Sequence, residues 1–155
     1  MTNALAESWL INNRVTLHLI QGLTPEALAC TLSTRGGRNV GQQLVHVYEV
    51  RRVKVEQADK ELAKNLPRVE REQGDDQALL LDVFNRSGEA IAEIIRKSAE
   101  TDGHVKGFKR GIAALVGYFI AHDAHHRGGI LVTMKQCKVK RPQELQMGLW
   151  AWNQI

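Results

Sequence analysis

Apolar residues recur along the chain at intervals of three and four, which is the period of an α-helix. The first such segment covers residues 3–21, where Leu5, Trp9 and Ile20 belong to one recurring apolar set. Gly22 ends this segment. Thr24 and Pro25 then predict a short second helix that reaches about residue 30, because threonine caps helices and proline suits their first position.

Three longer helices are predicted after a loop at residues 31–38. Asn39 followed by Gln42 has the form of a capping box, so a helix should begin there and continue to about residue 66, just before a proline. A charged connection at 67–77 leads to a helix over 78–101. Asp102 and Gly103 end that helix, and the last one is expected over 109–136.

This pattern predicts an all-α fold for the whole chain. Short connections between long amphipathic helices favour an antiparallel four-helix bundle, here with one short extra helix. The tail from Cys137 onward is predicted to be an irregular strap whose Trp150 and Trp152 cover one end of the bundle. A length of 155 residues predicts a single domain, 1–155.

Composition narrows the class of protein. With 43% apolar and 25% charged residues the chain is typical of a globular protein and not of a disordered one. It has neither an eighteen-residue apolar run nor a secretory signal, so the cytoplasm is expected and a membrane is not. Cys30 and Cys137 are predicted to be free thiols because neither has a cysteine at metal-binding spacing.

The net charge of +4 indicates nucleic-acid binding only weakly. Basic residues cluster at Arg51, Arg52 and Lys54 and again near the end of the last helix, without aromatic residues between them to stack on bases. We interpret these clusters as a solvated basic rim. No nucleic-acid partner is therefore expected.

Histidines are the candidate chemistry of this chain. His122 and His126 are four residues apart, so on a helix they share a face, and counting back from them gives Leu115 and Phe119. An isolated pair with this spacing is more often incidental than a metal site. His46 also lies at the edge of an apolar stripe, so a third imidazole is expected to face inward.

Three features together resemble the DinB-like superfamily: the segment NVGQQLVHVYEV, the segment HDAHHRGG and a tryptophan-containing end. The resemblance covers essentially the whole chain. It implies a four-helix bundle, commonly dimeric, in which three histidines bind a divalent metal that is often nickel or zinc. Carried over to this sequence, the ligands are His46, His122 and His126. His125 occupies a position that is frequently histidine in the family but is not normally a ligand.

One position departs from the family pattern. The family often has Gly-Gln after the basic residue, and this chain has Gly128 and Gly129. Two adjacent glycines cost a helix about 1 kcal/mol each relative to alanine, so they predict that something approaches closely. A neighbouring helix is favoured over a substrate.

A three-histidine site leaves at least one coordination position open, which is typical of catalytic zinc. The resemblance then implies a metal-dependent enzyme that activates water or a low-molecular-weight thiol such as glutathione, mycothiol or bacillithiol, acting on a small molecule as a hydrolase or a thiol-dependent transferase. Candidate acid and base groups are Asp123, Glu49 and Tyr48, with orientation of a ligand favoured for the carboxylates. His125 is a further candidate as a proton carrier, although a role at the helix surface or at an interface is favoured for it.

Two other functions stay open from the sequence. One is a metal-binding protein without catalysis that serves in stress response or metal handling. The other is a helical interaction module. The occupant of the fourth coordination position distinguishes catalysis from storage, since an open cleft with water favours the enzyme.

Overall fold

A computed structural model describes residues 2–155, and the regular elements of that range are all helical. The α-helices in chain order are α1 (Thr2–Gln21), α2 (Pro25–Ala29), α3 (Val40–Ala58), α4 (Lys60–Ala63), α5 (Gln77–Lys97), α6 (Gly111–Gln136) and α7 (Gln143–Gly148). Two 3-10 helices, Arg71–Asp75 and Ser98–Thr101, follow α4 and α5. The four long helices form a bundle in which α1 and α3 each pack against both α5 and α6.

The predicted helix starts are confirmed where a local cap determines them. Asn39 Oδ1 accepts a hydrogen bond from the Gln42 N–H at 2.8 Å, and Gln42 Oε1 accepts one from the Asn39 N–H at 3.1 Å. Thr24 Oγ1 likewise accepts from the Ala27 N–H at 3.2 Å, with a proline in the first turn of α2. These side chains satisfy N–H groups that have no partner within the helix.

The helix predicted over 39–66 is interrupted at Asp59. This residue is extended, with φ −147° and ψ 104°, and its Oδ1 accepts hydrogen bonds from the N–H groups of Glu61 and Leu62. Asp59 therefore ends α3 and caps α4. The apolar pattern continues through residues 59–66, so it did not predict the interruption of the helix. In the same way, the predicted connection at 67–77 contains a 3-10 helix.

Two boundaries near the C-terminal half also differ from the prediction. The last long helix begins at Gly111, whose φ of 78° belongs to the left-handed region that glycine adopts readily. The tail is not wholly irregular, because it contains α7, from which Leu145 is buried. Trp150 is 82% exposed, so the prediction that it covers the end of the bundle is wrong, whereas Trp152 is half-buried.

A layer of buried polar side chains divides the core into two apolar clusters. One cluster includes Leu19, Tyr48, Phe84 and Ile130, and the other includes Trp9, Val55, Ile91 and Phe119. On each of the four long helices, the buried polar residues of this layer lie in sequence between the residues of one apolar cluster and those of the other. The layer consists of Asn12, Asn13, Thr16, Arg51, Ser87, Asp123 and Arg127.

None of the helices between residues 2 and 155 combines the length and the apolar character that crossing a membrane requires.

Candidate metal centre

Three histidines from two helices meet where α3 packs against α6. His122 and His126 lie one turn apart on α6, and their ring centroids are 4.7 Å from each other. The His46 ring, from α3, is 5.5 Å from the first and 5.2 Å from the second. One nitrogen of each ring can be chosen so that all three lie within 4.8 Å of one another. The structure thus brings together the three histidines that the sequence singled out.

The surroundings keep these imidazoles neutral. Burial lowers the pKa of His46, as do the nearby Arg38 and His122 to a smaller extent. Burial also lowers the pKa of His122, although Asp123 opposes that change. The pKa of His126 falls to about 4 because of burial first and then the neighbouring His122, His46 and His125. A neutral imidazole has the free lone pair that a metal ion needs.

The atoms present fit a divalent metal ion. Nδ1 of His122 is buried and has no hydrogen-bond partner, which is costly for a polar atom unless a ligand satisfies it. Zinc binds histidine nitrogen at about 2.0–2.1 Å, so three nitrogens already within 4.8 Å need only a small movement of their rings. Three neutral nitrogen donors suit zinc and nickel better than magnesium or calcium, which prefer oxygen.

Two further aromatic side chains, Tyr118 and His125, lie beside the three clustered histidines. The Tyr118 ring stacks on His122 with an interplanar angle of 21° and a centroid distance of 5.8 Å. His125 is exposed, and its ring lies 5.2 Å from that of His126. The sequence analysis did not single out Tyr118, although its position four residues before His122 places it one turn away on the same face.

The expectation that a neighbouring helix of this chain approaches the paired glycines closely is wrong. A Cβ atom added at Gly128 would have no neighbour within 4 Å, and one at Gly129 would meet only Oε1 of Gln43, at 3.6 Å. Both glycines are exposed. No neighbouring helix requires them within the described residues of this chain.

Comparison with protein-family models tests the resemblance directly. The model described as the DinB family matches residues 1–144. The chain belongs to the DinB family. The match includes α1 to α6 with all three clustered histidines and stops before Trp150 and Trp152, so the tryptophans of the tail lie outside it. Comparisons with curated proteins and with solved structures found no match.

In this DinB family member three of the proposed acid and base groups, Glu49, Tyr48 and Asp123, are engaged away from the three imidazoles. Glu49 accepts hydrogen bonds from Nε of Arg52 at 2.9 Å and from the Val69 N–H at 3.1 Å. The Tyr48 hydroxyl is buried, donates to the Pro67 carbonyl, and has its pKa raised by burial. These contacts tie the chain after α4 to α3.

Asp123 follows a clustered histidine in sequence but points into the polar layer. Its Oδ2 accepts hydrogen bonds from the Arg51 guanidinium and from Nδ2 of Asn12, the latter at 2.8 Å. Both members of the Arg51–Asp123 ion pair are fully buried. Because Arg51 lies five residues after His46, and Asp123 is adjacent to His122, this pair joins the two helices that carry the histidines.

Arg51 was predicted to belong to a solvated basic rim, and that prediction is wrong. Its guanidinium carbon lies 4.7 Å from the centroid of the Trp9 ring and 4.6 Å from that of Phe84. Its Nη1 donates to Oδ1 of Asn13 at 2.7 Å. Aromatic faces and an ion pair together offset the cost of burying this charge. The contact also gives the buried Asn13 amide a partner for its oxygen.

Arg127 extends the polar layer from the turn that carries His126. Its Nη1 donates to Oδ1 of Asn12 at 2.9 Å and to Oγ1 of Thr16 at 2.7 Å. The sequence signal for this residue was its position directly after the histidine motif, on the face opposite the exposed glycines. Arg51 thus pairs with Asp123 directly, whereas Arg127 binds Asn12 and Thr16 of α1, and the Asn12 amide contacts both Asp123 and Arg127.

Proposed function

We propose that this DinB family member is a metal-dependent enzyme in which His46, His122 and His126 hold one divalent ion, either zinc or nickel. The observation that carries the proposal is the convergence of three neutral imidazoles from two helices on one point. The buried Nδ1 of His122, which lacks a partner, supports it. A structural zinc site would more often have four protein ligands including cysteine, and no cysteine belongs to this cluster.

A divalent ion with three protein ligands supplies an activated water or thiolate at its open position, because its charge lowers the pKa of either group. The reactions that this chemistry favours are hydrolysis and transfer of a low-molecular-weight thiol to a small electrophile. Tyr118 forms an apolar wall beside the cluster, suited to the uncharged part of a substrate. His125 is exposed and adjacent in sequence to a ligand, so its imidazole is placed to transfer protons between the site and solvent.

Metal analysis followed by an activity screen tests this function. Purified protein should carry about one zinc or nickel per chain, and it should accelerate the reaction of a thiol, or of water, with some member of a panel of electrophiles. The His126→Ala variant should lose both metal and activity. His125→Ala should keep its metal and lose activity by about 10²–10⁴-fold if it transfers the proton.

The screen also separates catalysis from metal storage. A protein that binds metal but accelerates none of these reactions would support a role in metal handling. A protein that binds neither zinc nor nickel at saturating concentration would contradict the metal centre itself. The helical interaction module would then be the remaining function.

We also propose a homodimer formed through the exposed face of α6. Asp123 and Arg127 are the only charged residues between Gly111 and Met134, and both are buried. Tyr118 and His125 border the histidine cluster, and the rest of the side that faces solvent is small or apolar, with Gly117, Ala121, Ala124, Gly128 and Val132. An uncharged helix face of this length is unusual at a water-facing surface, which supports its burial against a second copy.

We also propose a cytoplasmic location, because the two cysteines are free.

A further inference from the structure

Cys30 and Cys137 are far apart in sequence and meet at one end of the bundle. Cys30 follows α2, and its N–H donates to the Ala27 carbonyl. Cys137 follows the last turn of α6, and its Sγ donates to the carbonyl of Thr31 at 3.6 Å. Since Thr31 is the residue after Cys30, this contact brings one thiol to the backbone beside the other.

The two thiols are also neighbours of each other. Burial, and after it the hydrogen-bonding contact with the Cys137 thiol, raises the pKa of Cys30 to about 11. Cys30 is 6% exposed and its Sγ donates to the Glu26 carbonyl at 3.4 Å, whereas Cys137 is half-buried at the edge of the same apolar cluster. The pair thus consists of one sheltered thiol and one that solutes can reach.

From this arrangement we infer that Cys30 and Cys137 form a redox-active pair, which closes to an intramolecular disulfide when the protein meets a hydroperoxide. No residue of the metal centre takes part, so the inference is independent of the proposed enzyme. The accessible thiol is the one that reacts first, because oxidation follows exposure and thiolate character.

The chemistry balances in two steps. The Cys137 thiolate attacks a peroxide oxygen, so that an S–O bond forms, the O–O bond breaks, and the departing oxygen leaves as water or an alcohol. Cys30 then gives up its proton and attacks the Cys137 sulfur; the S–S bond forms, the S–O bond breaks, and hydroxide leaves with a proton as water. The thiols lose two electrons and two protons in total, and the peroxide is reduced.

The position of the pair gives the disulfide a structural effect. The carbonyl of Cys30 accepts a hydrogen bond from the Val40 N–H at 2.9 Å, which attaches it to the first residue of α3. A bond from Cys30 to Cys137 therefore connects the start of α3 to the end of α6 and encloses most of the chain. A cross-link over so long a loop restricts the unfolded chain strongly, and we expect Tm to rise by roughly 5–15 °C.

Peroxide treatment of the full-length protein tests the inference. After exposure to hydrogen peroxide and alkylation with iodoacetamide, mass spectrometry should find one chain lighter by two hydrogens, with neither cysteine alkylated. Proteolysis should release the peptides of Cys30 and Cys137 joined together. Dithiothreitol should restore both free thiols and return Tm to its initial value.

Single variants supply the controls, with circular dichroism to verify that each is folded. In Cys30→Ser, peroxide should convert Cys137 to a sulfenic acid that dimedone traps. In Cys137→Ser, Cys30 should react with peroxide and iodoacetamide at least about tenfold more slowly than Cys137 does in Cys30→Ser. If serine at position 30 prevents folding, Cys30→Ala replaces it. Disulfide-linked dimers, or oxidation of Cys137 that leaves Cys30 free in the wild-type protein, would overturn the inference.

Discussion

Burial and mutual proximity have the same effect on the three clustered histidines. Each of them loses solvent that would otherwise stabilise an imidazolium ion, and a second positive charge less than 6 Å away would add repulsion. The lowered pKa values of His46, His122 and His126 follow from this arrangement. A metal ion binds the neutral form of histidine, so the same arrangement favours a metal ion at this site over three protonated imidazoles.

Single alanine variants test the ligand assignment. His46→Ala, His122→Ala and His126→Ala should each lower metal affinity by far more than the 10–100-fold that follows loss of a group supporting a ligand. His125→Ala should retain the ion, and exposed His104→Ala serves as the matched control. Titration of the metal-free variants with zinc measures the effect. Release of metal by His125→Ala, with retention by His126→Ala, would show that the assigned helical register is wrong.

The lowered histidine pKa values predict how pH affects the metal-free protein. Unfolded histidines titrate near pH 6.5, while folded His126 does so at about 4. Between these values the unfolded state binds more protons, so the free energy of unfolding falls as pH falls. After allowance for solvent screening, we expect a loss on the order of 1 kcal/mol between pH 7 and pH 5, measured by urea unfolding. His126→Gln should flatten the dependence, and a wild-type protein equally stable at both pH values would contradict it.

The same pKa values apply to metal release. Protons compete for the nitrogens only where the folded histidines titrate, and burial lowers the pKa of all three, that of His126 to about 4, so bound zinc should persist at pH 6 and be released as the pH falls further. Equilibrium dialysis at a series of pH values measures this release. Binding that persists unchanged below pH 4 would indicate carboxylate ligands in place of histidine.

At the scale of helices, the buried polar layer determines how α3 and α6 face each other. Asp123 is the only acid among the charged residues of the layer and accepts hydrogen bonds from α3 and α1 at once. Its removal leaves the Arg51 guanidinium buried without its carboxylate partner. The layer therefore contributes to the position of His46 opposite His122 and His126, although it contains none of them.

Asp123→Asn should lower the free energy of unfolding by about 3–5 kcal/mol, as expected for breaking a buried ion pair. Asp82→Asn is the matched control, because Asp82 pairs with Arg86 on the surface of α5 with both side chains about half exposed. That variant should change stability by no more than about 1 kcal/mol. Urea unfolding of both proteins gives the comparison, and equal effects would show that the layer does not stabilise the fold.

Gly88 allows α1 and α5 to approach closely. A Cβ atom at this position would lie 2.1 Å from Nδ2 of Asn13, and the Gly88 carbonyl accepts a hydrogen bond from Nε1 of Trp9 at 2.8 Å. Gly88→Ala should destabilise the protein by about 1–3 kcal/mol, since Asn13 is held by Arg51 and has little freedom to move. Glu89→Ala, on the exposed side of α5, should stay within about 0.5 kcal/mol of wild type. Thermal unfolding of both variants tests the contact.

How far the sequence predicts this structure depends on the range of the interaction involved. Caps at Asn39 and Thr24 act within three residues, so the pattern locates those helix starts correctly. The burial of Arg51 depends on Trp9, Phe84 and Asp123, which come from three other helices, and the basic residues near it in sequence, Arg52 and Lys54, gave no sign of these partners. Only the folded bundle brings those partners together, which is why the local charge pattern misled the prediction. The histidine cluster was foreseeable because its helical spacing and a family pattern agreed.

At the scale of the whole molecule, the uncharged face of α6 predicts self-association. A stable homodimer should bury at least about 1,000 Å² in total, and light scattering should report about twice the chain mass of 17.4 kDa at micromolar concentration. Ala121→Glu places a charge in the middle of the face and should shift the protein to monomers. Asn85→Glu, on the exposed side of α5, should leave the dimer intact. A wild-type monomer would remove the proposal.

The two apolar clusters would by themselves allow neighbouring helices to slide, because apolar side chains pack almost equally well one turn away. A slip of one turn, about 5.4 Å, would place Asp123 and Arg127 against apolar residues and leave their partners unsatisfied. The polar layer between the clusters therefore selects one alignment among several of similar packing energy, as a single buried asparagine does in a coiled coil. The folding step that aligns α3 with α6 thereby also brings the three imidazoles together, before any ion is bound.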